Sequence, residues 1–325
     1  MGDAISIVEK AYQTGLDDRE WLTGLCNTAL SASGATMAIA NFFDARDIRR
    51  PRLSSGVSLP DPSAYAEIAM RTQELLEGTP GANEALFAAC DVSTMSERLQ
   101  RNGISYEPIR RVFEPYGIQD IVGLPAFSPD RRGIVFGFGV TTVRALTALE
   151  RKRWQRVATH AAAGLRLRVG VARDAVPEAV LRPDGRVEHA EGAARPKAAR
   201  ELLRSAARAV DRVRSRPSRQ DPDAALELWR GLVAGRWSLV DHFESDGRRY
   251  LVARRNDPDV PSAPLLSRRE AQVAGYAALG HGNKLIAYEL GLAVSTVATH
   301  LAAAQRKLGL RSRLELAPMA AQGRS

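Results

Sequence analysis

The sequence predicts a multidomain chain: an N-terminal α+β region, a small α+β module in the middle, and an all-α C-terminal domain. Three observations predict it. The 325 residues suffice for two or three domains of ordinary size. Apolar periodicity switches along the chain between the helical spacing of three and four and the strand spacing of two. From about residue 266 onward, short helical patterns punctuated by glycine replace strand patterns. With 45% hydrophobic and 26% charged residues, the composition is that of a globular protein.

The first region is expected over 1–170. DDREWLTGLCNTALSAS has Trp21, Leu22, Leu25, Ala29 and Leu30 at helical spacing and stops at Gly34. ATMAIANFFDA alternates as a strand. A middle of short helices follows, including SAYAEIAMRTQELLEG. DIVGLPAFSPDRRGIVFGFGV then reads as a hairpin turning at Pro129-Asp130, and a long helix over about 144–168 closes the region. The apolar face of that helix includes Trp154, Val157, Ala158, Ala161 and Leu165.

The second module spans 176–256. Two short strands flank Pro183-Asp184-Gly185, a turn signal. A basic helical stretch runs over 195–216, read as a solvated face in preference to a second nucleic-acid surface. Asp221 caps a helix with Pro222 at its first position, and a second hairpin turns at Asp246-Gly247. Residues 257–265 form a proline-rich linker whose proline stiffness and acidic residues keep it off the core.

The C-terminal domain, 266–325, is self-contained in its signals. Ser267 with Glu270 is a capping box for a first helix, ended at Gly280. Asn283 is expected to cap a second helix, which Gly291 terminates. A third begins near Val294, buries Val297, Leu301 and Leu308, and stops at Gly309; Ser312 with Glu315 would cap a fourth. Two short helices joined by a glycine turn, the second flanked by cations, is the geometry that seats a helix in a major groove. The chain carries +9 overall. From residue 262 onward eight cations against three carboxylates leave +5, so the last fifth holds over half the excess.

Leu-Ser-x-Arg-Glu, Gly-x-x-Asn-Lys-x-Ile-Ala, Leu-Gly, Thr-Val-x-x-His and Arg-Lys-Leu-Gly-x-Arg-Ser-Arg follow one another over 266–313. In this order they resemble the LuxR-type helix-turn-helix domain along its whole length. The resemblance implies a four-helix fold, a recognition helix at about 294–308 and transcriptional control through double-stranded DNA. The candidate DNA-binding residues are Arg269, Asn283, Lys284, Ser295, Thr296, Val297, Ala298, Thr299, His300, Arg306, Lys307, Arg311 and Arg313. Of these, Val297 is core in any account, and His300 is divided between a phosphate contact and a packed role. By element order alone, the first region resembles a GAF-type sensory domain and the second a reduced PAS-type module.

Three residues depart from the LuxR pattern. Ala298 stands where lysine is common. Ala293 replaces the usual serine cap, at a typical cost of about 0.5–2 kcal/mol. Pro318 interrupts the fourth helix, so dimerisation is expected through the N-terminal region, where the GAF resemblance implies that the apolar face of the helix at 144–168 is free for pairing with a second copy.

The chain lacks a P-loop, HExxH and GxSxG, and its five histidines stand apart. No enzyme activity, catalytic residue, cofactor or metal is therefore expected. Cys26 and Cys90 read as buried, reduced thiols, and with no apolar run long enough for a transmembrane helix the chain is expected in the cytoplasm, off the membrane. Expected partners are DNA and a second copy in a homodimer; an unidentified small-molecule effector and RNA polymerase stand as candidates. The alternative is a regulatory scaffold whose degenerate helix-turn-helix binds a protein, a reading that Ala293 and Ala298 favour.

Overall fold

The computed structural model describes residues 3–172, 176–244, 247–260 and 264–316. Two helices open the chain, α1 (Ala4–Ala11) and α2 (Asp18–Ser33). Asp17 and Glu20 form a reciprocal capping box at the start of α2, and left-handed Gly34 ends it. Strands β1 (Ala38–Asp44) and β2 (Arg52–Leu59) lead into α3 (Ala64–Gly78) and α4 (Ala82–Phe87). After them come β3 (Ser93–Thr94), α5 (Met95–Arg101), α6 (Glu107–Phe113), β4 (Asp120–Phe127), β5 (Arg132–Val140) and α7 (Ala148–Val171).

The five strands form one antiparallel sheet in the order β2-β1-β5-β4-β3. Strand alternation sends Ala38, Ala40, Ile134, Phe136 and Phe138 to a core shared with α1, α2 and α7. Ile39, Phe43, Ile121 and Val135 go to the opposite face, under α3–α6. The sequence reading misses β2. RLSSGVSL carries an arginine, three serines and a glycine, and buries only Val57 and Ser58, as an edge strand can.

The middle module contains β6 (Pro177–Leu181), β7 (Val187–Ala190), α8 (Lys197–Val213), α9 (Arg216–Arg219), α10 (Pro222–Leu228), β8 (Trp237–Phe243) and β9 (Arg249–Arg255). Its sheet is antiparallel, in the order β7-β6-β9-β8. Leu203, Ala207, Val210 and Val213 turn one face of α8 inward, and this core runs on without a break into that of α1, α2 and α7. The close seam has a local cause: a Cβ at Gly164 of α7 would lie 2.2 Å from the Ala11 carbonyl oxygen, so α1 can cross there only over glycine.

Helix α7 is the first correction. Every residue from Trp154 to Gly164 is buried, so its apolar face is consumed within the chain and is not free for a second copy. The stretch after β9 is the second. Asn256 is buried and donates to the Ala163 carbonyl (2.8 Å) and Ser238 Oγ (2.7 Å). Asp257 pairs with Arg255 and Arg268, so its charge holds the segment down instead of keeping it off the core.

Three helices complete the chain: α11 (Arg268–Ala278), α12 (Asn283–Leu290) and α13 (Val294–Leu308). Ser267 and Glu270 form the expected capping box, and Gly291 and Gly309 end α12 and α13 in left-handed conformation. Asn283 is not a cap: Gly282 takes that position, and the Asn283 Oδ1 accepts from Arg313. Beyond α13 the chain makes a short 3-10 turn, Arg313–Glu315, whose Ser312 offers no side-chain cap. Pro318 and the rest of the expected fourth helix lie outside the described residues.

Candidate nucleic-acid interface

The α12–α13 pair turns through 108° at Gly291, within the range of helix-turn-helix motifs. Ile286, Ala287 and Leu290 of α12 meet Val297, Leu301 and Ala304 of α13 in one core with Val273 and Tyr276 of α11. That spacing leaves the opposite side of α13 bare. Ser295, Thr296, Ala298, Thr299, Ala302 and Arg306 are exposed along it, while Val297 is wholly buried. Thr299 Oγ1 donates to the Ser295 carbonyl (3.1 Å), so its methyl group is what it presents outward. Among the uncapped features is Ala293, which precedes α13 with no side-chain bond to its first turn.

The predicted cations divide into two sets. Lys284, Arg306 and Arg311 are exposed, with no ion pair among the described residues. The others hold the domain together. Lys307 pairs with Glu270 at 2.7 Å; this and the Ser267 amide bring the Glu270 carboxyl down to about 2. Arg313 donates to Asn283 Oδ1 and to the His281 carbonyl. Arg269 reaches back to the Ala234 and Gly235 carbonyls in the loop before β8 (3.3 Å each). His300 is half-buried on α13.

Sequence reasoning did not find the docking of this domain on the rest of the chain, because its residues are scattered. Tyr288 of α12 lies 2.6 Å from the Leu226 carbonyl and 2.9 Å from that of Trp229, and its hydroxyl meets His160 Nε2 at 2.8 Å. His160 is buried in α7, and Tyr12 meets its Nδ1 at 3.0 Å. Burial holds this imidazole down at about 3, so it stays neutral. Gly291 packs equally closely: a Cβ there would sit 2.1 Å from the Leu232 carbonyl oxygen.

A second junction joins the α11–α12 turn to the first region. Cys90 N–H donates to the Leu279 carbonyl (2.9 Å), and His281 Nε2 meets the Cys90 carbonyl (3.2 Å). His281 Nδ1 meets Glu289 at 2.9 Å. Burial presses the His281 imidazole down, but the Glu289 carboxylate and the Cys90 carbonyl outweigh it and leave it raised.

Between the sheet and α3–α6 lies a cavity of about 120 Å³. Ile39, Phe43, Ile68, Leu76, Phe113 and Val135 line it, with Asn41 and Thr72 as polar members. The Thr72 hydroxyl is buried without a hydrogen-bond partner. Through Pro51, Gln73 and Asn83 the cavity shares walls with a wider surface cleft bordered by Arg46, Arg50 and Arg52.

Residues 264–320 match the family described as bacterial regulatory proteins, luxR family. The transcriptional regulator MalT of Vibrio campbellii is 33% identical over 91 residues, 28% of this chain and 10% of MalT. The oxygen regulatory protein NreC of Staphylococcus aureus is 39% identical over 79 residues, 24% of this chain and 34% of NreC. The chain thus spans about a tenth to a third of these relatives. A structure of SdiA in complex with octanoyl-rac-glycerol aligns over 99% of this chain and 88% of SdiA. At 10% identity and a TM-score of 0.31 that alignment establishes no shared fold. The helix-turn-helix geometry of α12 and α13 and the match at 264–320 agree: the C-terminal part of this chain is a helix-turn-helix domain that matches the luxR family of bacterial regulatory proteins.

Proposed function

We propose that α13 enters the major groove with Ser295, Thr296, Ala298 and Thr299 toward the bases, while Lys284, Arg306 and Arg311 hold phosphates. The observation that carries this reading is the bare outward side of α13 above a fully packed inner side. Small hydroxyl and methyl groups read bases weakly, so two copies on one site supply affinity that one lacks. RNA polymerase is the partner through which such a regulator acts. Neither thiol offers a nucleophile at neutral pH, since burial pushes Cys26 up to about 12 and Cys90 to about 11; we read the chain as non-enzymatic.

The N-terminal region is read as the sensory part, GAF-like in element order, with the middle module a PAS-like remnant. Its cavity suits a compact, mainly apolar molecule with one polar group for Thr72 or Asn41. A structural path supports control of the effector from this cavity. Leu86 and Phe87 of α4 wall it, the Phe87 carbonyl accepts from Arg131 (2.9 Å), and three residues on Cys90 grips the α11–α12 turn. Displacing Phe87 therefore strains the junction on which the DNA-binding domain rests.

A protein-binding scaffold is the second reading, favoured by uncapped Ala293 and by the internal use of Arg269, Lys307 and Arg313. Genomic fragments selected on the full chain, then challenged with a Thr296→Asp variant, decide between them. Recovery of a shared sequence that the variant fails to hold supports groove reading. Absence of any enriched sequence supports the scaffold.

A further inference from the structure

Exposed arginines such as Arg46, Arg71, Arg111 and Arg144 lie within ion-pair distance of a carboxylate; those on α8 form no ion pair among the described residues. Leu203, Ala207, Val210 and Val213 fix its inner side, which turns Lys197, Arg200, Arg204, Arg208 and Arg212 toward the opposite side. Lys197, Arg204, Arg208 and Arg212 are exposed. None of the five forms an ion pair among the described residues. Of the two carboxylates in the helix, Asp211 is engaged by Arg249. The hairpin turn at Gly185 packs on the same side, where Arg208 Nε donates to the Asp184 carbonyl (2.7 Å). Arg182 and Arg186 flank that turn and share Glu188.

Like charges four residues apart weaken a helix, and the contact this row returns to the fold, among the described residues, is the single bond from Arg208 to the Asp184 carbonyl. Its chemistry points outward. Three exposed arginines, Arg204, Arg208 and Arg212, repeat every fourth residue over about 12 Å of helix axis, with half-buried Arg200 on the flank. Guanidinium forks match phosphate oxygens two at a time, and the steps of about 6 Å compare with two phosphate rises of about 3.4 Å along one DNA strand. We propose that α8 is a second DNA-backbone contact surface, which clamps duplex phosphates outside the groove that α13 reads. This rests on the chain binding DNA. It reverses the expectation that the basic stretch is only a solvated face.

The test uses the full chain and a fluorescein-labelled duplex of mixed sequence, about 40 base pairs or four helical turns long. Fluorescence anisotropy is titrated at several salt concentrations for wild type, R204Q/R208Q/R212Q and K284Q/R306Q, with circular dichroism checking that each folds. We expect the triple variant to lower the magnitude of the log–log salt slope by about 2–3 and to weaken binding about tenfold or more. If its slope and affinity equal wild type while K284Q/R306Q loses both, the α8 proposal fails and DNA binding stands. If wild type itself does not bind, both fail. Phosphatidylglycerol vesicles form the last arm: loss of vesicle binding in the triple variant, with duplex binding intact, assigns the row to a lipid surface and overturns the proposal.

Discussion

Tyr288 of the helix-turn-helix domain and His160 of α7 share a buried hydrogen bond of 2.8 Å, although 128 residues separate them in the chain. One neutral tautomer fits the shorter contacts of this network and leaves the Trp229 and Gly231 carbonyls without a tyrosine proton. With the proton on Nε2, His160 donates to Tyr288, Tyr288 donates to the Leu226 carbonyl, and Tyr12 donates to Nδ1. All three regions of the molecule thereby meet on one imidazole.

Tyr288→Phe removes the hydroxyl and leaves the Leu226 carbonyl and His160 Nε2 buried without it. The expected cost is about 1–3 kcal/mol, read as a lower midpoint in urea unfolding. Because the loss falls at the docking seam, we also expect faster proteolysis around residues 256–266. An unchanged midpoint and cleavage rate would contradict the role assigned to this bond.

The two buried histidines predict opposite pH responses. His160 is held down at about 3 in the fold against an ordinary 6.5, so the unfolded chain takes up a proton that the folded chain refuses. Stability is then lost as pH falls below 6.5. His281 is raised by Glu289 in the fold; its contribution is present below 6.5 and lost as pH rises through its folded value. Between about pH 5 and 6.5, above most carboxylate titrations, melting temperatures should fall less steeply on acidification in His160→Gln; above about pH 6.5 they should fall less steeply with rising pH in His281→Gln. Equal slopes in all three proteins would count against both assignments.

Ala69 lines the cavity from α3. Ala69→Phe adds a ring in that space, and we expect it to abolish binding of benzene, whose size suits a cavity of about 120 Å³, as read by ligand-observed NMR on the full chain. Thr72→Val should keep that binding, since the probe asks little of the hydroxyl. Equal benzene binding by wild type and Ala69→Phe would show that the cavity is not the binding space.

On α13, Ala298 is exposed on the outward side, which we propose faces the groove. Ala298→Lys should strengthen DNA binding and add up to about 0.9 to the magnitude of the salt slope per copy. No gain at any salt would place Ala298 away from the phosphates.

The parts legible in the sequence were those with local signals. The capping pairs Asp17/Glu20 and Ser267/Glu270 involve residues three apart, and Gly291 and Gly309 end helices in place. The order of residues from Leu266 to Arg313 carries the candidate interface. Strand β2 was missed because an edge strand needs little apolar alternation. The docking seam was missed for a different reason. Tyr288 and His281 read as ordinary helix and turn residues until the fold brings α7 and Cys90 to them. Packing also decided which cations stay free, since Lys307 and Arg313 look no different in sequence from Arg306 and Arg311.

The central claim, that the exposed side of α13 reads DNA, is tested most directly by chromatin immunoprecipitation with sequencing of the tagged full chain beside its Ala298→Asp variant. The account predicts discrete sites with a common sequence for wild type, and their loss in the variant at equal protein level and unchanged circular dichroism. Identical enrichment by both proteins, or no enrichment by wild type, would contradict it.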